Sequence, residues 1–240
     1  MSSQKSQPRA LVTGASSGIG RATALALARS GYTVALVSRS ATRLQAVAQE
    51  IGQLGGQAQV HSLDLSQVDQ VREAIAAIAG DQLQVLVNCA GLGYTSPLET
   101  MPLEDWQHLF ALNVTSVWQC TLGALPALRA SAPSTIVNVS SIAAKTPFPT
   151  WGAYSASKAA LSAFSQVLAA EERPHGLRVA LITPGAVNTP LWDTDTVKAD
   201  FNRSAMLTPE TVAQSILHTI TAPAQAVVEE LVVMPAAGAL

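Results

Sequence analysis

The stretch Ala10-Leu-Val-Thr13-Gly14-Ala15-Ser16-Ser17-Gly18-Ile19-Gly20 runs an apolar, strand-like segment straight into three glycines and opens onto a helix expected over Arg21 to Ser30. Strand, tight turn and helix follow one another with no spacer, which is the start of a β-α-β unit. Working outward, six more short runs rich in β-branched residues follow: Thr33–Ser38, Gln59–Leu63, Val85–Val87, Thr135–Ser140, Arg178–Ile182 and Glu230–Met234. Such runs suit strands buried on both faces. Between them, apolar residues recur three and four apart, as in Leu44, Val47, Ile51, Leu54, then Val68, Val71, Ile75, Ile78, then Val212, Ile216, Ile220, so each intervening helix has one stripe to bury. Short connections with right-handed crossovers then require a doubly wound α/β fold, a seven-stranded parallel sheet with helices on both faces. Ligands of such sheets sit at the carboxyl ends of the strands.

At 240 residues the chain is long enough to bury a sizeable core as a single domain, residues 1–240. Hydrophobic residues make up 48%, while 14 Lys+Arg and 16 Asp+Glu amount to 12% charged, about half of the roughly 25% usual in soluble domains. That balance disfavours disorder, and a net charge of −2 with no basic block argues against nucleic-acid binding. So few charges also point to an oligomer that covers part of the surface. Cys89 and Cys120 are too few and too far apart for a disulfide scaffold or a Cys-x-x-Cys metal site, so buried thiols in a cytoplasmic protein, with no metal, are expected. Residues 1–8, expected to be a flexible N-terminus, lack the apolar core of a secretory signal. The uncharged run Trp106 to Leu128 contains Gln107, His108, Asn113, Thr115, Ser116, Gln119 and Pro126, which hydrocarbon would penalise, so no membrane span is expected.

The residues just after each strand carry the candidate chemistry. Gly14, Ser16, Ser17, Gly18, Ile19 and Gly20 form a turn whose backbone can approach a pyrophosphate at a helix N-terminus. Their spacing is Gly-x-x-x-Gly-x-Gly rather than the Gly-x-Gly-x-x-Gly of the usual dinucleotide fingerprint. Where NAD sites hold an acid on the ribose 2′-OH, this chain has Ser38-Arg39-Ser40. Arg39 can pair with a 2′-phosphate, which favours NADP(H) over NAD(H), unless it is simply a solvated surface side chain. Asp64, in Leu63-Asp-Leu65, either accepts from the adenine amine or caps the helix before Val68. Tyr154 and Lys158, four apart, share one helix face. Bringing a phenol from its ordinary pKa of about 10 to near neutrality corresponds to about 4 kcal/mol, which neighbouring cationic charge could supply. Ser140 and Ser141 end the fifth strand, Asn88-Cys-Ala90-Gly91 the fourth and Pro184-Gly185 the sixth, with Asn113 inside the helix before the fifth.

Taken together, Thr13-Gly-x-x-x-Gly-Ile-Gly20, Asn88-x-Ala-Gly91, Asn113, Ser141, Tyr154-x-x-x-Lys158 and Pro184-Gly185-x-x-x-Thr189 resemble the classical short-chain dehydrogenase/reductase family, from about Arg9 to Met234. The departure is Cys89, where that family usually has a second Asn. The resemblance implies a Rossmann-type fold and hydride transfer between nicotinamide C4 and a carbonyl or secondary alcohol. It implies Tyr154 as general acid/base, Ser141 as hydrogen-bond donor to the substrate oxygen, and Lys158 as the group that lowers the Tyr154 pKa and holds the ribose. Asn113 would anchor a water in a proton relay. Asn88, Ala90 and Gly91 would flank the adenosine ribose, Leu65 would join Asp64 at the adenine, and Pro184, Gly185, Val187 and Thr189 would line the nicotinamide side. Ser140, one residue off in register, should point away from the site.

Substrate contacts are expected from Ser141, Tyr94, Trp151 and Trp192, in a pocket framed also by Leu92, Thr146 to Trp151, Leu191, Phe201 and Met206. The long aperiodic connection 186–207 is expected to act as a substrate lid. Aromatic and aliphatic walls favour a neutral, moderately apolar small-molecule ketone or aldehyde. A 3-oxoacyl-[acyl-carrier-protein] reductase is the enzymatic alternative, although Arg129, Arg173 and Arg178 offer it only a thin basic face. A non-catalytic NADP-binding regulator is the alternative of another class. The Ala- and Leu-rich stretches Ala111 to Leu128 and Ala153 to Ala170 predict a homotetramer or homodimer, and the resemblance implies pairing through these two helices.

Overall fold

The computed structural model describes residues 7–199, 202–223 and 225–238. Within them β1 (Arg9–Thr13), β2 (Thr33–Ser38), β3 (Gln57–Ser62), β4 (Val85–Asn88), β5 (Ser134–Val139), β6 (Leu177–Pro184) and β7 (Glu230–Val233) form one sheet in the order β3-β2-β1-β4-β5-β6-β7. Every pairing is parallel. This is the doubly wound, Rossmann-type fold read from the sequence.

Alternation along the strands sorts the core into two layers. Ala10, Val12, Val34 and Leu36 face α1 (Gly18–Arg29), α2 (Ala41–Gln53) and α7 (Pro209–Ile220), meeting Leu27, Leu44, Ile51 and Ile216. Leu11, Ala35, Val37 and Leu86 face the other way, against Val71 and Ile75 of α3 (Val68–Ala79), Cys120 and Ala124 of α5 (Ser116–Ala130) and Leu168 of α6 (Gly152–Glu172). A one-residue slip of any strand would exchange these two sets, so hydrophobic burial on both faces pins the register.

Burial on both faces does not extend to the sheet edges. β3 alternates exposed Gln57 and Gln59 with half-buried Ala58 and Val60, and β7 is mostly half-buried. Each edge strand has a neighbour on one side only, so less of it is covered. The uncharged run Trp106 to Leu128 lies mainly in α4 (Leu103–Phe110), a π-helical turn (Ala111–Thr115) and α5. No helix among the described residues is long and apolar enough to cross a membrane.

Because β1 and β4 are neighbours while the chain continues outward from them in opposite directions, a crevice opens between their carboxyl ends. Thr13 Oγ1 braces that point, accepting from Cys89 N–H at 3.0 Å and Ala90 N–H at 3.1 Å. The connection 186–207 is not featureless: it contains 3-10 turns at Pro190–Asp193 and Arg203–Ala205, and its ends meet in a Val187–Leu207 bridge.

Candidate active site

Two cavities run along the carboxyl ends of the strands and share Ile19, Cys89, Gly91, Leu92, Thr189 and Leu191 as a common wall. The first, of about 500 Å³, is lined by the glycine turn from Gly14 to Gly20, by Ser38, Arg39, Ser40 and Arg43, and by Asp64, Leu65 and Ala90. Gly14 and Gly18 have φ of +66° and +51°, a region glycine occupies without strain. A Cβ on Gly20 would lie 2.4 Å from Gly14 O, so the turn closes tightly. Ser17 caps α1 with no side-chain hydrogen bond, and the first N–H groups of the helix face the turn. A cradle that tolerates no side chains, a helix N-terminus and two arginines beyond it fit a dinucleotide with a charged ribose phosphate. Asp64 accepts from Ser66 N–H at 3.0 Å and Ser66 Oγ at 2.8 Å, while α3 is capped by Gln67. Burial opposes its ionisation, but these two bonds and the Arg39 charge together hold its carboxyl below the ordinary value.

The second cavity, of about 430 Å³, has Ser141, Tyr154 and Lys158 on its lining, with Pro184, Gly185, Val187 and Thr189 opposite. Tyr154 and Lys158 sit one turn apart near the start of α6. Lys158 is 5% exposed, and its Nζ donates to Val139 O at 2.9 Å and lies 5.9 Å from the centre of the Tyr154 ring. Burial draws its pKa down to about 8. The Tyr154 phenol is raised above its ordinary value, because burial outweighs the hydrogen bond with the Ser141 hydroxyl. Ser140 turns its hydroxyl to Lys158 O and Ser162 on α6, as its register requires.

Aromatic rings form much of the remaining wall. Trp151 packs edge-on against Tyr154 at 5.3 Å and against Trp192 at 5.7 Å, with Phe148 and Leu92 alongside. Thr150 lines the same cavity with φ of 68°, and its carbonyl accepts from Ser96 N–H at 2.8 Å. A β-branched residue in that region is strained by about 1–3 kcal/mol and is held there by its surroundings.

The sequence pattern described as short chain dehydrogenase matches residues 8–199. The chain belongs to this family of oxidoreductases. An uncharacterised oxidoreductase of Staphylococcus epidermidis is 32% identical over 229 residues, covering 94% of this chain and 96% of the relative. A 3-oxoacyl-[acyl-carrier-protein] reductase of Synechocystis is 35% identical and covers 90% of each chain. The alcohol dehydrogenase of the archaeon Thermococcus sibiricus, solved in complex with 5-hydroxy-NADP, superposes with a TM-score of 0.87 at 30% identity, over 95% of this chain and 97% of that one.

Several expected side chains are engaged elsewhere in this short chain dehydrogenase. Asn113 is fully buried in the π-helical turn; its Oδ1 accepts from Leu92 N–H at 2.8 Å, and its Nδ2 donates to Leu92 O at 2.9 Å and Ser157 Oγ at 3.0 Å. Both amide hydrogens are therefore used on the protein, and the side chain clasps the loop after β4 to α6. Asn88 donates to Asn138 Oδ1 at 2.9 Å inside the sheet, leaving Ala90 and Gly91 to border the cleft. Tyr94 gives its hydroxyl to Asp105 at 2.6 Å and packs, partly buried, in the cluster with Met101 and Trp106, outside the lining of either cavity. Lys158 has its own ammonium disfavoured by burial and directs its Nζ to Val139 O, 5.9 Å from the centre of the Tyr154 ring. Of the other expected wall residues, Met206 is buried away from the cavity lining and Phe201 lies outside the described residues. Arg43 escaped the sequence reading, although a second arginine four residues after Arg39 and just inside a helix start was there to be seen.

Proposed function

We propose that the chain is an NADP(H)-dependent reductase of a ketone or aldehyde, with Ser141, Tyr154 and Lys158 as its catalytic residues and Arg39 setting cofactor preference. One observation carries this reading: the hydrogen-bonded hydroxyls of Tyr154 and Ser141 face an apolar cavity that adjoins an arginine-bearing dinucleotide cleft. When bound, the cofactor supplies a hydride to the carbonyl carbon. Tyr154, a phenol that is protonated at neutral pH at its ordinary pKa of about 10, gives its proton to the carbonyl oxygen and regains one from solvent. Ser141 donates a hydrogen bond to the same oxygen as charge develops there. Lys158 keeps a positive charge beside the phenolate that forms. Asn113 fixes the Leu92 backbone, and with it one wall shared by both cavities. From the connection after β6, Leu191, Trp192 and Ala199 line the substrate side.

The relative named 3-oxoacyl-[acyl-carrier-protein] reductase supports a second reading, reduction of an acyl thioester. Retention of both Tyr154 and Lys158 opposes a purely regulatory, non-catalytic role. A panel of aryl and alkyl ketones, aldehydes and 3-oxoacyl thioesters, run with NADPH and NADH, separates these readings. Tyr154→Phe is expected to lower kcat by at least about 100-fold with cofactor affinity nearly unchanged, and retention of more than about a tenth of the wild-type rate in a hydride-limited reaction removes Tyr154 from this role. Arg39→Asp is expected to weaken NADPH at least about tenfold; a wild type that binds NADH as tightly as NADPH overturns that assignment.

A further inference from the structure

The connection between β6 and α7 is tied at its base by Leu207 N–H on Ala186 O and Asn188 N–H on Leu207 O, both at 2.9 Å. Arg203 makes a second tie above it. Its Nε donates to Asn188 Oδ1 at 2.8 Å, Nη1 to Asp193 Oδ1 at 2.9 Å and Nη2 to Thr189 O at 3.1 Å. One planar group thus spans both flanks of the Pro190–Asp193 turn. A lysine ammonium, a point charge on a flexible stem, has no such fork.

The turn held in this way borders the two cavities at once. Thr189 and Leu191 lie on the lining of each. With its carbonyl engaged by Arg203, Thr189 directs its side chain at the glycine turn, where its Cγ2 would be 3.1 Å from a Cβ on Gly18. Asp193 also lines the larger cavity, so an acid stands at the edge of the space that a multiply anionic dinucleotide would fill. The ion pair with Arg203 offsets that charge.

We propose that Arg203 is a positioning residue for NADP(H): it fixes the Thr189 turn against the glycine turn and neutralises Asp193, without touching the reacting atoms. This rests on the cofactor reading above. Arg203 contributes binding energy that is the same before and during hydride transfer, so its loss is read in cofactor affinity rather than in turnover.

NADPH affinity measured by fluorescence titration of wild type, Arg203→Ala, Arg203→Lys and Asp193→Ala tests it. Arg203→Ala is expected to weaken NADPH at least about tenfold, with KM for NADPH rising in parallel and kcat at saturation within about threefold. Arg203→Lys is expected to fall between, keeping the charge but losing the fork. Asp193→Ala, which removes the acid along with its need for a partner, is expected to stay within about threefold of wild type. In the cofactor-free protein, trypsin should cut after the exposed Lys198 faster in Arg203→Ala than in wild type. An Arg203→Ala protein that melts like wild type and binds NADPH within about twofold of it, or one that loses kcat in place of affinity, overturns the proposal. Should Arg203→Ala not accumulate as folded protein, wild-type affinity in Arg203→Lys overturns it equally. A wild type that binds neither NADPH nor NADH removes the cofactor reading and this proposal together, whereas normal affinity in the Arg203 variants removes this proposal alone.

Discussion

Lys158 brings a cation into a place almost closed to water, and the consequence can be measured. Burial draws its pKa from 10.5 down to about 8, so the folded chain holds this proton less tightly than the unfolded chain does. Below about pH 8 both states are protonated and folding carries the full cost of burying the charge. Between about pH 8 and 10.5 the folded chain releases the proton first, and stability rises with pH through this residue. Lys158→Met lacks that dependence. Its stability relative to wild type, from urea melts at about pH 7 and pH 9.5, is expected to be higher at the lower pH; a difference constant across that window shows that Lys158 is not destabilised by burial. The pairing of Tyr154 with Lys158 was legible because a spacing of four on a helix sets two side chains on one face whatever surrounds them. The engagements of Asn113, Asn88 and Tyr94 were not legible. Each bonds a group 11 to 50 positions away, and residue type alone does not say which acceptor a fold brings near.

The glycine turn and α1 work as one element, and Gly20 is the point where they meet. Alanine has the better helix propensity by about 1 kcal/mol, so Gly20→Ala would stabilise an isolated helix. Here the added Cβ would sit 2.4 Å from the backbone oxygen of Gly14, and backbone cannot give way as a flexible side chain can. Overpacking of that kind costs about 1–3 kcal/mol and should win. Gly20→Ala is therefore expected to melt below wild type and to bind NADPH more weakly, because the turn must open; an alanine variant as stable as wild type, with full affinity, shows that the turn tolerates a side chain. Element order was readable from periodicity, since a buried strand and a one-sided helix each repeat on their own pitch. Strand ends were less so: β3 begins at Gln57 rather than Gln59, and β6 runs on to Pro184. At those ends, pairing with the next strand, Gln57 with Thr33 and Pro184 with Val233, sets the limit in place of local composition.

The assembled surface leaves Trp118 of α5 45% exposed and Val167 of α6 57% exposed, on two helices joined by the Arg129–Glu172 ion pair at 2.6 Å. Apolar side chains at such positions, in a chain with 12% charged residues, fit a face covered by another copy. Light scattering at micromolar concentration is expected to give a dimer or tetramer, and Trp118→Asp with Val167→Asp to shift it towards monomer; a monomer-sized wild-type particle removes the oligomer. The alternation of strands and helices, the glycine turn after β1 and the spacing of Tyr154 and Lys158 are local patterns, which is why the amino-acid order alone carried the fold class and most of the lining of the larger cavity. Which side chains close the substrate cavity is another matter. The Trp151–Trp192 contact joins segments that meet only once the sheet has stacked its strands, while the bond of Tyr94 to Asp105 and the fork of Arg203 depend on how a single connection folds back on itself; packing of either kind leaves no periodic trace along the chain.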